Sequence, residues 1–256
     1  MRPVIFLFTL LLIACQSVPI TGRSQLVLLS EEEELELGAQ AYRQTLKKST
    51  LSRDEEKLAL VRRVGQRIAA VSGRPDYQWE FTLIEDNTPN AFALPGGKVA
   101  VNTGILPVTQ DETGLAVVMG HEVAHALAHH GAERMSTGLI TQIGAVGAAV
   151  ILGGGDPQTT KAIEAAFGIG GQVGVLLPFS RKHESEADEI GLHLMAKAGY
   201  DPREAVDFWT RMEAAGKGKQ PPEFLSTHPS DEHRIEQIQA ALPDVLPIYQ
   251  KALAQR

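Results

Sequence analysis

The spacing of apolar and polar positions predicts helices over most of the chain. Ser30 with Glu33, and Ser52 with Glu55, have the spacing of capping boxes, in which a serine and a glutamate three residues later close the first turn of a helix. Helices are expected over residues 30–47, 52–71, 111–135 and 182–198, after Asp201-Pro202 and after His228-Pro229. The pattern is that of a mainly helical protein.

Two stretches show the two-residue alternation that is typical of strands. Residues 77–85 and 91–103 alternate apolar and polar side chains, and Pro95-Gly96-Gly97 interrupts the second stretch. We interpret them as a small antiparallel sheet. Because no internal repeat and no linker divides the chain, the predicted fold class is a single α+β, mainly helical domain.

Two apolar segments rich in glycine and alanine lie at 138–153 and 162–177. Each is shorter than about 18 residues and carries polar side chains such as Thr141 and Glu164, whereas a membrane-spanning helix needs about 20 apolar residues. A buried or membrane-grazing pair of helices is favoured, with two membrane spans as the alternative.

Composition narrows the class of protein. The 256 residues are 43% hydrophobic and 21% charged, which fits a globular chain and argues against a disordered, collagen-like or multi-span membrane protein. A net charge of −7 without a basic stripe argues against nucleic acid as a partner. The single cysteine excludes an internal disulfide and any zinc site built from several cysteines.

The first residues have the pattern of an export signal. Arg2 precedes an apolar run over 4–12, which is too short to span a bilayer. Leu12-Ile13-Ala14-Cys15 resembles the lipobox of bacterial lipoproteins, in which the cysteine is acylated and becomes the mature N-terminus. A buried N-terminal strand with a core cysteine is the alternative.

The lipobox resemblance sets the expected domain boundaries and location. We expect a lipoprotein signal peptide over 1–14, a lipidated tether over 15–29 and the folded domain over 30–256. Gln16, which follows the cysteine where aspartate would retain a lipoprotein in the inner membrane, resembles the signal for the outer membrane, facing the periplasm.

The strongest chemical motif is His121-Glu122-Val123-Ala124-His125, inside the helix predicted over 111–135. A four-residue spacing places both imidazoles on one helical face, where they can share a metal ion, and Glu122 lies beside them, next to a metal-bound water. The alternative is a pair of partly buried histidines with polar neighbours. A catalytic zinc takes three protein ligands, so the motif requires a third.

The third ligand does not follow in the next turns. A metzincin has glycine and histidine where this chain has Ala128 and Gly131, so that class is excluded. His129 lies two helical turns from His121, too far along the axis to join the same tetrahedron. We interpret His129 and His130 as surface residues or as residues that support a ligand.

The helix predicted over 182–198 supplies the best candidate. Glu184 and Asp188 share one face of this helix, whereas Glu186 falls on another face. Glu184 can ligate zinc, and Asp188 can accept the proton of the outer nitrogen of a ligand histidine. An exposed acidic helix start, favoured by the helix dipole, is the alternative.

Five segments, in order along the chain, resemble the zinc peptidase family that includes HtpX, the CAAX prenyl protease and the BepA-like lipoproteins. The segments are Val18-Pro19-Ile20-Thr21-Gly22-Arg23, Asn90 to Gly97, His121 to His125, Ser180 to Asp188, and Thr227 to Arg234. The resemblance implies that residues 30–256 form a minimal zincin domain of the gluzincin type. It also implies one zinc ion per chain.

The resemblance further implies roles for particular residues. It makes His121, His125 and Glu184 the zinc ligands, Glu122 the general base, and Asp188 and Arg234 the residues behind the ligands. It places Asn90, Ala91 and Phe92 on a sheet edge to which an extended substrate adds as a strand. For His228 it implies either an electrophile that polarises the scissile carbonyl or a fourth, inhibitory zinc ligand, with a histidine that caps the next helix as the alternative.

These patterns predict a periplasm-facing, lipid-anchored zinc metalloendopeptidase that cleaves unfolded or misassembled envelope proteins. The sequence shows neither the tetratricopeptide array of the BepA-like members nor the transmembrane helices of HtpX, which favours the short, peptidase-only lipoproteins of Gram-negative outer membranes. The alternative function is a chaperone or assembly factor with a latent, histidine-plugged zinc site. A non-catalytic, lipid-anchored binding module is the third hypothesis.

Overall fold

The structure, a computed structural model, describes residues 15–151, 179–216, 223–229 and 233–255. The predicted signal peptide at 1–14 and the apolar segment at 162–177 lie outside the described residues. Within the described ranges the protein is mainly helical with two small sheets. The prediction of an α+β, mainly helical domain is confirmed.

The helices follow the predicted order along the chain, with two short helices, Leu106–Thr109 and Glu223–Thr227, that the sequence pattern did not predict. They are α1 (Glu31–Lys48), α2 (Glu55–Ala70), α3 (Leu106–Thr109), α4 (Glu112–Leu127), α5 (His130–Ile151), α6 (Arg181–Lys197), α7 (Glu204–Gly216), α8 (Glu223–Thr227) and α9 (Arg234–Ala254). Ser30 and Glu33 form the predicted capping box at α1. The second helix begins three residues later than predicted, because its N-cap is Asp54 and not Ser52. The carboxylate of Asp54 accepts a hydrogen bond from the backbone N–H of Lys57.

The predicted helix over 111–135 is in fact two helices, α4 and α5. Ala128 ends α4, and His129 has a left-handed φ of 54°, which a continuous helix does not allow. The imidazole Nδ1 of His129 lies 2.6 Å from Oε2 of Glu34 on α1, and this contact holds the turn. The chain therefore changes direction immediately before His130, which becomes fully buried.

The larger sheet is mixed, and not purely antiparallel as expected. Its strands are β3 (Glu80–Ile84), β4 (Ala91–Leu94) and β5 (Lys98–Asn102), in the spatial order β3-β5-β4. Gly96 and Gly97, with φ of 83° and 82°, close the β4–β5 hairpin. Because this hairpin inserts β5 between its neighbours, β5 runs parallel to β3 and antiparallel to β4. As a result β4 forms one edge of the sheet.

The segment expected to be a tether, 15–29, is folded against the domain. Its strands β1 (Cys15–Ser17) and β2 (Ser24–Leu26) form a two-stranded antiparallel sheet. The side chains of Val18, Gln25 and Val27 are buried. The backbone N–H of Leu28 also donates to Oγ of Ser136 on α5. Apolar burial and this hydrogen bond explain why the segment is ordered.

Helix α4 lies at the centre of the core. Every residue from Gly114 to Leu127 is buried, among α2, β4, α6 and α7. At its crossing with α6, Gly120 faces Gly191 of α6. The backbones are so close there that a Cβ on Gly191 would lie 3.0 Å from the backbone N of His121. Two helices that approach this closely can bring short side chains from both backbones to one point.

The apolar segment at 138–153 continues α5 as far as Ile151. Among the described residues, no helix has both the length and the hydropathy that crossing a membrane requires.

Candidate metal centre

Four buried side chains converge on one point next to α4. Ligand atoms of His121, His125, Glu184 and His228 all lie within 4.8 Å of one another. Nε2 of His121 is 3.1 Å from Nε2 of His125 and 3.2 Å from Oε2 of Glu184. The structure thus brings together the two histidines of the motif and the acidic residue predicted on a separate helix.

The donors fit a zinc ion. Two imidazole nitrogens and a carboxylate oxygen are the ligand types that zinc takes in catalytic sites. Oε2 of Glu184 is buried and has no hydrogen-bond partner, and the two Nε2 atoms of His121 and His125 face each other. A cation between these atoms would satisfy all of them, whereas burying them without one is costly.

His121 is backed by a carboxylate, as the sequence predicted. Its Nδ1 lies 2.9 Å from Oδ1 of Asp188, and Nη2 of Arg234 donates to the same oxygen at 2.7 Å. Arg234 is buried, and its guanidinium lies 3.2 Å from the ring centroid of Trp209. With its Nδ1 proton donated to Asp188, His121 directs Nε2 toward the cluster, where a metal ion would take the place of the Nε2 proton.

His125 is backed by a second imidazole, that of His130, which the sequence left as either a surface residue or a support of a ligand. Its Nδ1 lies 2.9 Å from Nδ1 of His130, and Nε2 of His130 lies 3.0 Å from Oε2 of Glu186. Of the two interpretations for His130, the structure supports the buried residue behind a ligand. Glu186 does lie on another face of α6 than Glu184, but that face is buried against His130. The helix break at His129, which produces this contact, leaves no spacing signal in the sequence.

The electrostatics of the cluster favour a cation. Burial lowers the pKa of His121, but the carboxylates of Glu184 and Asp188 outweigh burial and raise it to about 9. Burial raises the pKa of Glu184, but its contacts with His121, His125 and His228 outweigh burial and hold that pKa well below its usual range. Burial lowers the pKa of His125, which stays neutral. A metal ion would replace the proton on His121, so binding should release protons.

Glu122 is buried beside the cluster, on the groove side. Burial raises the pKa of its carboxyl group, and this effect outweighs the nearby charges of His228 and His121. Oε1 of Glu122 lies 3.3 Å from Nε2 of His228. A carboxyl group whose pKa is moved toward neutrality is suited to accept and return a proton near pH 7.

His228 occupies the fourth position of the cluster. Its Nδ1 lies 3.1 Å from Oε1 of Glu184 and 3.3 Å from Nε2 of His121. The ring stacks on Phe224 at a centroid distance of 4.5 Å. The N-cap residue of α9 is His233, and not His228, so the helix-capping alternative is wrong.

A groove of about 320 Å³ opens beside Glu122. Strand β4 forms one wall, together with Phe179, His125 and His228. The backbone N–H of Asn102 on β5 donates to the carbonyl of Asn90. In an antiparallel ladder successive residues of a strand alternate between facing the neighbouring strand and facing away from it. The backbone groups of Ala91 and Ala93 therefore face away from β5, toward the free edge of the sheet. The N–H of Ala91 donates to Oδ1 of Asn90. The residues expected at the substrate edge, Asn90, Ala91 and Phe92, line this groove, although the backbone groups of Asn90 and Phe92 face β5.

Comparison with known proteins gives consistent results. Residues 55–242 match the model of peptidase family M48. The chain is 41% identical to the mitochondrial metalloendopeptidase OMA1 of Schizosaccharomyces pombe over 238 residues, which cover 89% of this chain and 66% of that protein. It is 33% identical to the mitochondrial metalloendopeptidase OMA1 of Homo sapiens, over 96% of this chain and 48% of that protein.

A bacterial protein is also similar. The beta-barrel assembly-enhancing protease of Escherichia coli is 29% identical over 227 residues, which cover 87% of this chain and 46% of that protein. The chain thus spans about half to two thirds of the length of these relatives.

Proposed function

The chain belongs to peptidase family M48, and on that premise we propose that it is a zinc metalloendopeptidase that cleaves unfolded proteins. The observation that carries the proposal is the buried convergence of His121, His125 and Glu184, with Glu122 beside this cluster and on the wall of an open groove. The metalloendopeptidase relatives support the same reaction class.

The side chains divide the chemistry among them. His121, His125 and Glu184 would hold zinc, which would lower the pKa of a bound water toward 7 and polarise a carbonyl group. Glu122, whose pKa is raised by burial, takes a proton from the attacking water and returns it to the leaving amine. Asp188 fixes the tautomer of His121, and Arg234 fixes Asp188.

The substrate class follows from the groove. An extended peptide that adds to the free edge of β4 is bound mainly through its backbone, so selection by side chain is weak. Such binding requires a segment that is not already paired in a folded protein. Unfolded or misassembled proteins of the bacterial envelope meet this requirement, and the assembly role in the name of the Escherichia coli relative supports them as substrates.

Zinc removal and return test this function. The purified chain should bind one zinc ion and cleave an unfolded substrate such as reduced casein. A chelator should abolish cleavage, and added zinc should restore it. A chain that binds one zinc ion and cleaves no unfolded substrate would contradict the peptidase proposal and favour the chaperone alternative.

A latent site is the second candidate, because His228 lies in the ligand cluster as well as on the wall of the open groove. As a fourth ligand it would occupy the position that water needs. His228→Ala should then keep zinc and increase basal cleavage. If His228 instead polarises the scissile carbonyl, the same change should lower cleavage by about 10². Unchanged zinc content with unchanged cleavage would contradict both roles.

We further propose a lipid anchor at Cys15 on the periplasmic side of the outer membrane. The export pattern of the first residues and the lipobox resemblance support it. In a Gram-negative host, the wild-type protein should carry the mass of a lipid and sediment with membranes, and Cys15→Ser should do neither. A Cys15→Ser protein that keeps the lipid mass would rule out this anchor.

A further inference from the structure

The two zinc-ligating histidines have different supports. Behind His121 stand a carboxylate and an arginine, Asp188 and Arg234, from the C-terminal part of the chain. Behind His125 stand His130 and then Glu186. Unlike Asp188, Glu186 is held by two side chains from the N-terminal segment that precedes α1.

Arg23 and Thr21 are these two side chains. Nε of Arg23 donates to Oε2 of Glu186 at 2.7 Å, and the hydroxyl of Thr21 donates to Oε1. The other two nitrogens of the guanidinium, Nη1 and Nη2, donate to both oxygens of Glu133 at 2.8 and 2.6 Å. Arg23 thus binds two carboxylates from two helices at once, a geometry that lysine cannot reproduce.

The turn between β1 and β2 aims these side chains. The backbone N–H of Val18 donates to the carbonyl of Arg23, and that of Gly22 to the carbonyl of Val18. Ile20 has a φ of 71°, which is strained for a β-branched residue. Strained backbone of this kind persists only where the surroundings fix it, and it is concentrated at functional sites.

The hydrogen bonds that link His125, His130 and Glu186 are consistent with a single assignment of the imidazole protons. If Nε2 of His125 binds zinc, its Nδ1 carries the proton and donates to Nδ1 of His130. His130 then carries its proton on Nε2 and donates to Oε2 of Glu186, which also accepts from Arg23.

We propose that Arg23, together with Thr21, is a positioning residue of the metal centre. It fixes Glu186, which through His130 holds His125 in the orientation and tautomer that zinc binding requires. The N-terminal segment around Arg23 is then a part of the metal site, although it lies about a hundred residues from the motif. This inference rests on the proposed zinc site, but not on peptidase activity.

Zinc affinity of full-length variants tests the proposal. Removing a group behind a ligand typically weakens metal binding by about 10- to 100-fold, so Arg23→Gln should raise the zinc Kd, measured by chelator competition, at least about tenfold. Arg67→Gln is the matched control, because Arg67 also binds a glutamate and a backbone carbonyl, Glu112 and Ala198, away from the cluster. The Kd of this control should stay within about twofold of wild type. A wild-type Kd in Arg23→Gln would overturn the proposal.

Repeating the measurement in a His130→Phe variant distinguishes a positioning role of Arg23 from general stabilisation of the fold. His130→Phe removes the link between Glu186 and His125, so adding Arg23→Gln to it should change the zinc Kd less than about twofold. An equal tenfold loss in both backgrounds would show that Arg23 acts by another route and would overturn the proposal. If Arg23→Gln does not fold, Glu186→Gln replaces it, since the amide keeps the size of the side chain and loses its charge.

These results are independent of the proposed reaction. A wild-type chain that binds zinc without cleaving protein would contradict the peptidase function and leave the role of Arg23 open to the same measurement. Unchanged zinc affinity in Arg23→Gln would contradict the role of Arg23 and leave the peptidase function standing.

Discussion

At the scale of single residues, the metal centre is defined as much by what lies behind the ligands as by the ligands. A bare imidazole can rotate and can carry its proton on either nitrogen. Asp188 removes this freedom from His121, and His130 removes it from His125. Both histidines therefore present Nε2 to the same point before any metal is bound.

Glu184 supports a direct prediction on the third ligand. Its carboxylate contacts both Nε2 atoms of the motif, whereas Glu189 on the same helix is exposed. Glu184→Ala should raise the zinc Kd at least about tenfold, and Glu189→Ala should leave it unchanged. Chelator competition on the two proteins measures this, and equal affinities would move the third ligand to another residue.

The residue scale also shows where sequence reasoning stops. The four-residue spacing within His121 to His125, and within Glu184 to Asp188, predicts which side chains share a helical face. It does not tell which faces of two helices meet. Glu186 was therefore assigned correctly to another face of α6, but its contact with His130 depends on tertiary packing that the spacing does not contain.

At the scale of secondary-structure elements, the contact between α4 and α6 sets the distance between the ligands. A methyl group on Gly191 would meet backbone atoms of Gly120 and His121, which cannot move aside as a side chain can. The two helices carry three of the four residues of the cluster. Their separation and the geometry of the metal site are therefore linked.

Gly191→Ala should disturb both the packing of α4 against α6 and the geometry of the metal site. Overpacking at the crossing should lower the free energy of unfolding by about 1–3 kcal/mol and weaken zinc binding. Gly138→Ala, in an exposed and open part of α5, should instead raise the free energy of unfolding by about 0.5–1 kcal/mol. Urea unfolding of the two chelator-treated proteins compares them, and a neutral Gly191→Ala would contradict the close crossing.

The start of α4 supports a prediction on pH dependence. Burial alone raises the pKa of Glu112, but hydrogen bonds from Arg63 and Tyr200 outweigh it and lower the pKa below 4.5. A lowered pKa means that this carboxylate stabilises the fold fully above pH 4.5 and loses its contribution as the pH falls below that value.

Glu112→Gln should therefore lower the free energy of unfolding at pH 7, by about 1 kcal/mol because the pair is partly exposed. The difference from wild type should shrink as the pH falls below 4.5. Urea unfolding in the presence of a chelator, at pH 7 and at pH 3.5, measures it. The same difference at both values would contradict the assignment of the ion pair.

Elements were easier to predict than their arrangement. Apolar spacing and caps are local signals, and they located most helices and the strands. The break at His129 has no local signal of its own, because its left-handed backbone is held by Glu34 on α1. The order of the strands likewise depends on the insertion of the β4–β5 hairpin, which alternation along one strand cannot reveal.

At the scale of the whole molecule, the site is assembled from distant parts of the chain. Arg23 reaches it from the N-terminal segment and Arg234 from the last helix, and both are fixed by acidic residues of α6. Helix α6 thus receives an arginine on each of two faces, at Glu186 and at Asp188. The resemblance to known zinc peptidases identifies all four residues of the cluster, whereas the contacts of Thr21 and Arg23 with Glu186 are visible only in the folded molecule.

The central claim is that a metal site and a glutamate base hydrolyse a peptide bond. Its most direct measurement compares zinc content and cleavage of an unfolded protein for wild type and Glu122→Gln, with Glu189→Gln as control. Glu122→Gln should keep one zinc ion and its fold, and should lower kcat by at least about 10², because the ligands remain and the base is lost. Equal turnover by wild type and Glu122→Gln, at equal zinc content, would contradict the claim.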